Sequence, residues 1–551
     1  MEQPFIDVRV NRDDYRHWKL AVDGAVATVT MQVDPAGGLR DDYELKTNSY
    51  DLGVDIELYD IVQRLRFEHP EVKAVVVTGG LDKIFCAGAN IQMLAGSSHA
   101  HKVNFCKFTN ETRNSIEDAS THSGQTWIAA VNGTAAGGGY ELALACEEIV
   151  LVDDRASAVS LPEIPLLAVL PGTGGLTRVV DKRHVRRDLA DAFATRTEGV
   201  KGKQAVEWKL VDRVAPASQF DEVVAERAAA HVAASDRPDD ARGVELTPIG
   251  RTIDGDAITY DHVTVTIDRE LAAATITVAA PTDPQPTTGD ELAAAGAGAW
   301  VIAAARELDD AMLHLRFNEA TVGTWLLATV GDADAVVAAE HVLAGDHWLA
   351  REARLYWTRV FKRLDLSARS LFALIEPGSC FAGMLAELAL AADRSYMLDG
   401  TWEDSDLPAP TLRLSEANLG WFPMSNGLSR LASRFWGAPD ELADAESLVG
   451  KALLGDEAAD VGLVTAAMDD IDWADEIRVM IEERASFSPD ALTGMEANYR
   501  FVGPETMETK IFARLTAWQN WIFQRPNAVG AEGALRRFGT GSRPDYDKHR
   551  V

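Results

Sequence analysis

Two acidic residues and two glycine-bearing turns carry most of the chemistry that can be read in this chain. Glu141 follows the run Gly137-Gly138-Gly139 by two residues, and Glu163 stands in the stretch SLPEIPLLAVLPGTGG. Two carboxylates drawn out of water and repelling each other keep one member neutral as an acid and the other ionised as a base, the arrangement that activates water. The turns KIFCAGANIQM at 83–93 and VNGTAAGGGYEL at 131–142 each lead from a strand pattern into a helix pattern. Unpaired N–H groups and the helix dipole favour negative charge at such junctions. If the turns converge, one N–H from each clamps a carbonyl oxygen that becomes an oxyanion, and a single donor of that kind is worth roughly 10²–10³ in rate. Gly88 and Gly137 would let backbone approach a ligand closely. Plainer readings stay open at this point: a packing turn for the glycines, a dipole offset for Glu141, a solvated loop acid for Glu163. Neither turn reads GxGxxG or GxxxxGK[ST], so a nucleotide-phosphate site is not indicated.

The elements that must hold these residues read as α/β. WKLAVDGAVATVTMQV at 18–33 alternates about Asp23-Gly24, a hairpin signal. A helix over 55–66 feeds a buried strand at 72–78, and a helix at 101–120 feeds a strand at 127–131, a glycine turn and a helix starting near Gly137. The helix at 101–120 carries Cys106 and, one turn on, Asn110, which share a face between the two turns. After a polar stretch the order restarts. A hairpin pattern at 262–279 is followed by a helix at 291–315, a strand at 324–330, a helix at 350–364, a strand at 371–376 and a helix from about Gly383.

WIAAVNGTAAGGGYELALAC at 127–146 resembles LFALIEPGSCFAGMLAELALAA at 371–392, with ELALA common to both, so the halves read as duplicated and diverged. The chain therefore divides into a catalytic module at 1–235, a linker at 236–257, a degenerate module at 258–470 and a helical region with a basic tail at 471–551. The second module keeps Glu387 and has Glu416 near the place of Glu163. TVGDADAVV stands where the first turn would be, and Met384-Leu385 replace two glycines, so a second active site is not expected there.

Composition narrows the function. With 53 Lys+Arg against 85 Asp+Glu the formal charge of the 551 residues is −32, which argues against nucleic acid as a partner. Four cysteines without a CxxC pair fit a reducing cytoplasm, no export signal is visible, and the longest charge-free apolar stretch, 292–305, is too short for a membrane helix. Lone histidines such as His99 and His101 lack ligand spacing, so no metal is expected.

FCAGAN at 85–90, VNGTAAGGGYELALAC at 131–146 and PEIPLLAVLPGTGGLTR at 162–178, in this order and spacing, resemble the crotonase, or enoyl-CoA hydratase, superfamily. The resemblance implies a fold of ββα spiral repeats and a CoA thioester as substrate, with no cofactor because CoA is part of that substrate. It also implies that the N–H groups of Ala89 and Gly138 form the oxyanion hole and that Glu141 and Glu163 are the acid/base pair. Asn90 departs from the Asp common in the family, and Gln92 from a position often basic. The segment RDDYELKTNSY at 40–50 is longer than usual and makes Arg40 and Lys46 candidate CoA phosphate partners, while Cys106 and Asn110 are candidates to face the acyl group. Over its whole length, the tail at 525–541 included, the chain resembles one doubled member of the superfamily. That likeness implies hydrolytic opening of the non-aromatic ring of an aromatic-acid CoA thioester, and a homodimer. A general enoyl-CoA hydratase or isomerase and a non-catalytic acyl-CoA-binding protein are the alternatives.

Overall fold

The structure is a computed structural model that describes residues 4–551. Contacts divide it into two units, the first ending at Pro248 and the second running from Ile249 to Val551.

In the first unit β1 (Trp18–Asp23) and β2 (Val26–Met31) form the hairpin expected at Asp23-Gly24. The sheet then continues in parallel through β4 (Ala74–Gly79), β7 (Thr126–Val131), β9 (Glu148–Asp153) and β11 (Arg213–Pro216). AVVV, WIAAV and EIVLV are buried almost throughout, as strands covered on both faces must be. A second layer of three short parallel strands runs β10 (Val159–Ser160), β8 (Gly133–Ala136), β5 (Lys83–Cys86), and β3 (Ser49–Tyr50) pairs with β6 (Gly88–Ala89). Each long strand thus turns into a short one before a helix: β4 leads to β5, β7 to β8 and then α4 (Gly138–Ala145), β9 to β10 and then α5 (Glu163–Leu167). This is the ββα spiral, and it delivers both glutamates from the same kind of junction.

Two further helices support these junctions. α1 (Leu52–Phe67) starts at Asp51, whose carboxylate caps Gly53 and Val54 and also accepts from Leu39 N–H and the Tyr43 hydroxyl. α3 (His99–His122) lies against α1.

The stretch 236–257 differs from a free linker. The Arg237 side chain is buried and donates to the carbonyls of Pro70, Ser123, Arg66 and His69, and Val244 N–H donates to Phe67 O. Residues 252–254 and 257–259 are already strands of the second unit's sheet. Tertiary hydrogen bonds order a segment whose composition lacks any apolar period.

The second unit has an eight-stranded sheet. Its first four strands, through Ala273–Ala279, are antiparallel, and the rest, Thr324–Val330, Ser370–Ile375, Arg394–Leu398 and Ala466–Met468, follow in parallel. The helix expected over 291–315 is broken at Gly296, where φ is +68°, into Gly289–Ala295 and Trp300–Asn318. The region 471–551 is part of this unit: Trp473, Ile477 and Ile481 pack on Leu326, Phe372 and Leu398. Among the described residues, no helix is long and apolar enough to cross a membrane.

Candidate active site

The two glycine turns converge. Gly88 has φ +88°, and a Cβ built on it would lie 2.8 Å from Ala136 O and 2.9 Å from Gly138 N, so only glycine fits between the turns. Ala89, the next residue, pairs with Tyr50 across β3 and β6. Gly137, with φ +53°, is the N-cap of α4, and Gly138 is its first residue, so the Gly138 N–H has no acceptor within the helix. Sequence spacing alone left convergence open. The pairing of β5 with β8 brings it about.

Both glutamates meet this turn. Glu141 is buried, and its carboxylate is held by one loop: Oε1 accepts from Thr173 N–H (3.0 Å) and Gly175 N–H (2.7 Å), and Oε2 from the Thr173 hydroxyl. Burial raises its pKa, while the Thr173 and Gly175 donors and the nearby Arg113 charge pull it back towards the ionised form. Glu163 Oε1 faces Gly137, where a Cβ would stand 2.6 Å away, and Glu163 Oε2 is buried with no hydrogen-bond partner among the described residues. Burial, then the Glu141 charge, pushes the Glu163 carboxyl up to about 7. The pair therefore holds an anchored carboxylate and a carboxyl that titrates at neutral pH, the division of labour that proton exchange needs.

Several side chains that carried no legible signal hold this arrangement. Arg113 donates to Asp55 at 2.7 Å, both fully buried, and Thr109 donates to the other Asp55 oxygen. Thr173 was visible only as part of the PGTGG stretch; its role follows from the loop folding back on Glu141. Asn110 also serves that loop, donating to Gly172 O at 3.1 Å. Asn110 thus holds the segment that caps Glu141. Cys106 lies against Gly172, and burial raises its thiol to about 11, so it stays protonated.

A groove of about 610 Å³ runs beside Ala89, lined by Asp41, Asp42, Glu44, Lys46, Asn90 and Gln92 among others. Arg40 is held by both oxygens of Asp42, at 3.0 and 3.2 Å, and exposed Lys46 pairs with Glu44 at 2.6 Å. Asn90 caps the helix Ile91–Gly96 through Met93 N–H and donates to Glu44 O (2.8 Å) and Ser49 Oγ (3.2 Å). An aspartate could accept the first bond but could not donate the other two, which ties the 40–50 segment to the turn.

At the equivalent positions of the second unit the groups have partners from the chain itself. Met384 N–H, at the place of Gly138, donates to Glu340 Oε2 at 2.5 Å, so the chain's own carboxylate occupies the donor. Glu387, at the place of Glu141, is paired with Arg430 at 3.0 Å and accepts from Asn418 at 2.9 Å. Glu416 is exposed, and Asn418 rather than Glu416 reaches Glu387.

Residues 44–239 match the enoyl-CoA hydratase/isomerase family, the class of protein that this fold and site define. Over 548 residues the chain is 56% identical to benzoyl-CoA-dihydrodiol lyase of Aromatoleum evansii, covering 99% of this chain and 98% of that one. The chain therefore belongs to the benzoyl-CoA-dihydrodiol lyase family, and it is an enzyme of the lyase class. It is also 33% identical over 186 residues to the fatty acid oxidation complex subunit alpha of Shewanella loihica, covering 33% of this chain and 25% of that one. A crystal structure of an enoyl-CoA hydratase from Geobacillus kaustophilus HTA426 shares 30% identity over 40% of this chain and 75% of that one, with a TM-score of 0.35.

Proposed function

We propose that the protein cleaves the non-aromatic ring of 2,3-epoxybenzoyl-CoA with two waters, giving 3,4-dehydroadipyl-CoA semialdehyde and formate in aerobic benzoate degradation. The observation that carries this reading is the meeting of Glu141, Glu163 and the Gly138 N–H at one turn, in a chain whose family likeness spans its full length.

In this reading the N–H groups of Ala89 and Gly138 hold the thioester oxygen as ring cleavage sends charge into the conjugated carbonyl. Glu163, poised near neutrality, takes a proton from water and returns one to the departing ring oxygen. Glu141, anchored by three donors, supplies the fixed negative charge that keeps Glu163 basic enough to do so. The second unit lends support, because there the N–H equivalent to Gly138 binds a carboxyl oxygen. The same reading has the enzyme work in the cytoplasm as a homodimer. It calls for no metal or redox cofactor, since the carboxyl groups move the protons and the backbone N–H groups hold the charge that develops.

Mass spectrometry of products formed from 2,3-epoxybenzoyl-CoA in ¹⁸O-labelled water tests the proposal. Formate plus the labelled semialdehyde is the expected result. Hydration of crotonyl-CoA without ring cleavage would replace it with a general hydratase reading, and binding without turnover with an acyl-CoA-binding one.

A further inference from the structure

Behind the two turns stands a side chain that the chemistry above leaves unused. Tyr50 is 1% exposed, and its hydroxyl is buried with no hydrogen-bond partner among the described residues. Its ring is fixed from two sides, with the Arg113 guanidinium 5.5 Å from the centroid and the Phe105 ring at 5.9 Å. Its backbone pairs with Ala89, and its carbonyl accepts Asn90 N–H at 2.8 Å. Its hydroxyl lies where a Cβ on Gly138 would stand, so no side chain separates it from the backbone that carries the second donor. One residue thus touches both halves of the clamp. Phenylalanine would fill the same space without leaving a polar atom unpaired, so the hydroxyl is a cost to the free protein.

We propose that the Tyr50 hydroxyl is a third donor to the thioester oxygen, joining the Ala89 and Gly138 N–H groups when the acyl-CoA is bound and negative charge develops on that oxygen. The inference rests on the reading of those two N–H groups as the oxyanion hole. Burial holds the phenol well above its usual pKa, against the pull of Arg113, so it keeps its proton to donate. The missing partner in the free protein and the need of an oxyanion for donors are then two sides of one arrangement.

Tyr50→Phe in the full chain separates this role from packing. The expected result is a kcat about 10²-fold lower on the acyl-CoA substrate, KM within twofold, and a melting temperature equal to or above that of the wild type. An unchanged kcat overturns the proposal. So does a loss of activity that follows a lower melting temperature, which would make the hydroxyl a structural group. If the wild type turns over no acyl-CoA thioester, the oxyanion reading fails and this inference with it; if only the variant comparison fails, the oxyanion reading stands.

Discussion

Glu163 Oε1 occupies the space beside Gly137 that the first side-chain atom of any other residue there would need, 2.6 Å from that atom's position. The acid is thereby pressed against the N-cap of α4, whose next residue, Gly138, carries the second N–H donor. From this follows a requirement for glycine that is steric as well as conformational, since φ at 137 is +53°.

Gly138→Ala should abolish turnover and lower stability, because the new methyl overlaps the Tyr50 hydroxyl. Adding Tyr50→Phe should recover part of the melting temperature without recovering activity. Thermal melts and kcat on the four members of this double-mutant cycle check it; equal melting temperatures for Gly138→Ala with and without Tyr50→Phe would show that the overlap is not the cause.

Glu163→Gln should reduce kcat by at least about 10²-fold while leaving acyl-CoA affinity largely intact, since proton transfer depends on the carboxyl. In the wild type the pH profile should bend near 7, where Glu163 titrates. Glu141→Gln removes the negative charge that raises it, so the Glu163 carboxyl, followed by ¹³C NMR, should titrate at lower pH in that variant.

The same group makes a stability prediction. Glu163 is neutral in the fold up to about pH 7, whereas in the unfolded chain it ionises from about 4.5. The folded state thus binds more protons over that window, and stability falls as pH rises through it. Glu163→Gln should accordingly be more stable than the wild type by about 2 kcal/mol at pH 8, a gain that shrinks towards pH 4. Urea unfolding at the two pH values measures the difference, and a gain of equal size at both would sink the assignment.

Thr173→Val removes one of three donors to Glu141 and should lower kcat roughly tenfold, the weight of about 1.5 kcal/mol for a bond to a charged group. Because that bond is already made in the free protein, its loss should also lower stability by about 1–2 kcal/mol, the two N–H donors from Thr173 and Gly175 limiting the cost. Steady-state kinetics beside calorimetry reads both.

Glu387→Gln in the second unit should leave kcat per folded molecule unchanged and cost about 1–3 kcal/mol of stability, because Arg430 keeps Asp365 as a partner. A fall in kcat there would show that the second unit takes part in the chemistry.

How much of this could be read in advance differs from residue to residue. The runs AVVV and WIAAV announce strands because burial on both faces demands unbroken apolar residues, and Glu141 announces itself by its distance from three glycines. The helical face of Asn110 was legible, but the loop it meets, 62 residues on, was not. Arg40 and Lys46 pair with Asp42 and Glu44, near neighbours in the chain, yet nothing in their spacing says that these pairs form.

The residues and their order determined the α/β repeats, the glycine junctions, the pair of acids and the loss of the glycines in the second half. These are local properties, set by side-chain period and by which residues tolerate positive φ. Tertiary structure alone decided that the two turns meet, that Glu163 lacks a partner while Glu141 has three donors, and that Tyr50 stands between Ala89 and Gly138. It also decided that Glu340 fills the equivalent donor in the second unit. Burial and neighbouring charge govern acidity and hydrogen bonding, and both are set by residues far apart in the chain whose approach no local pattern encodes.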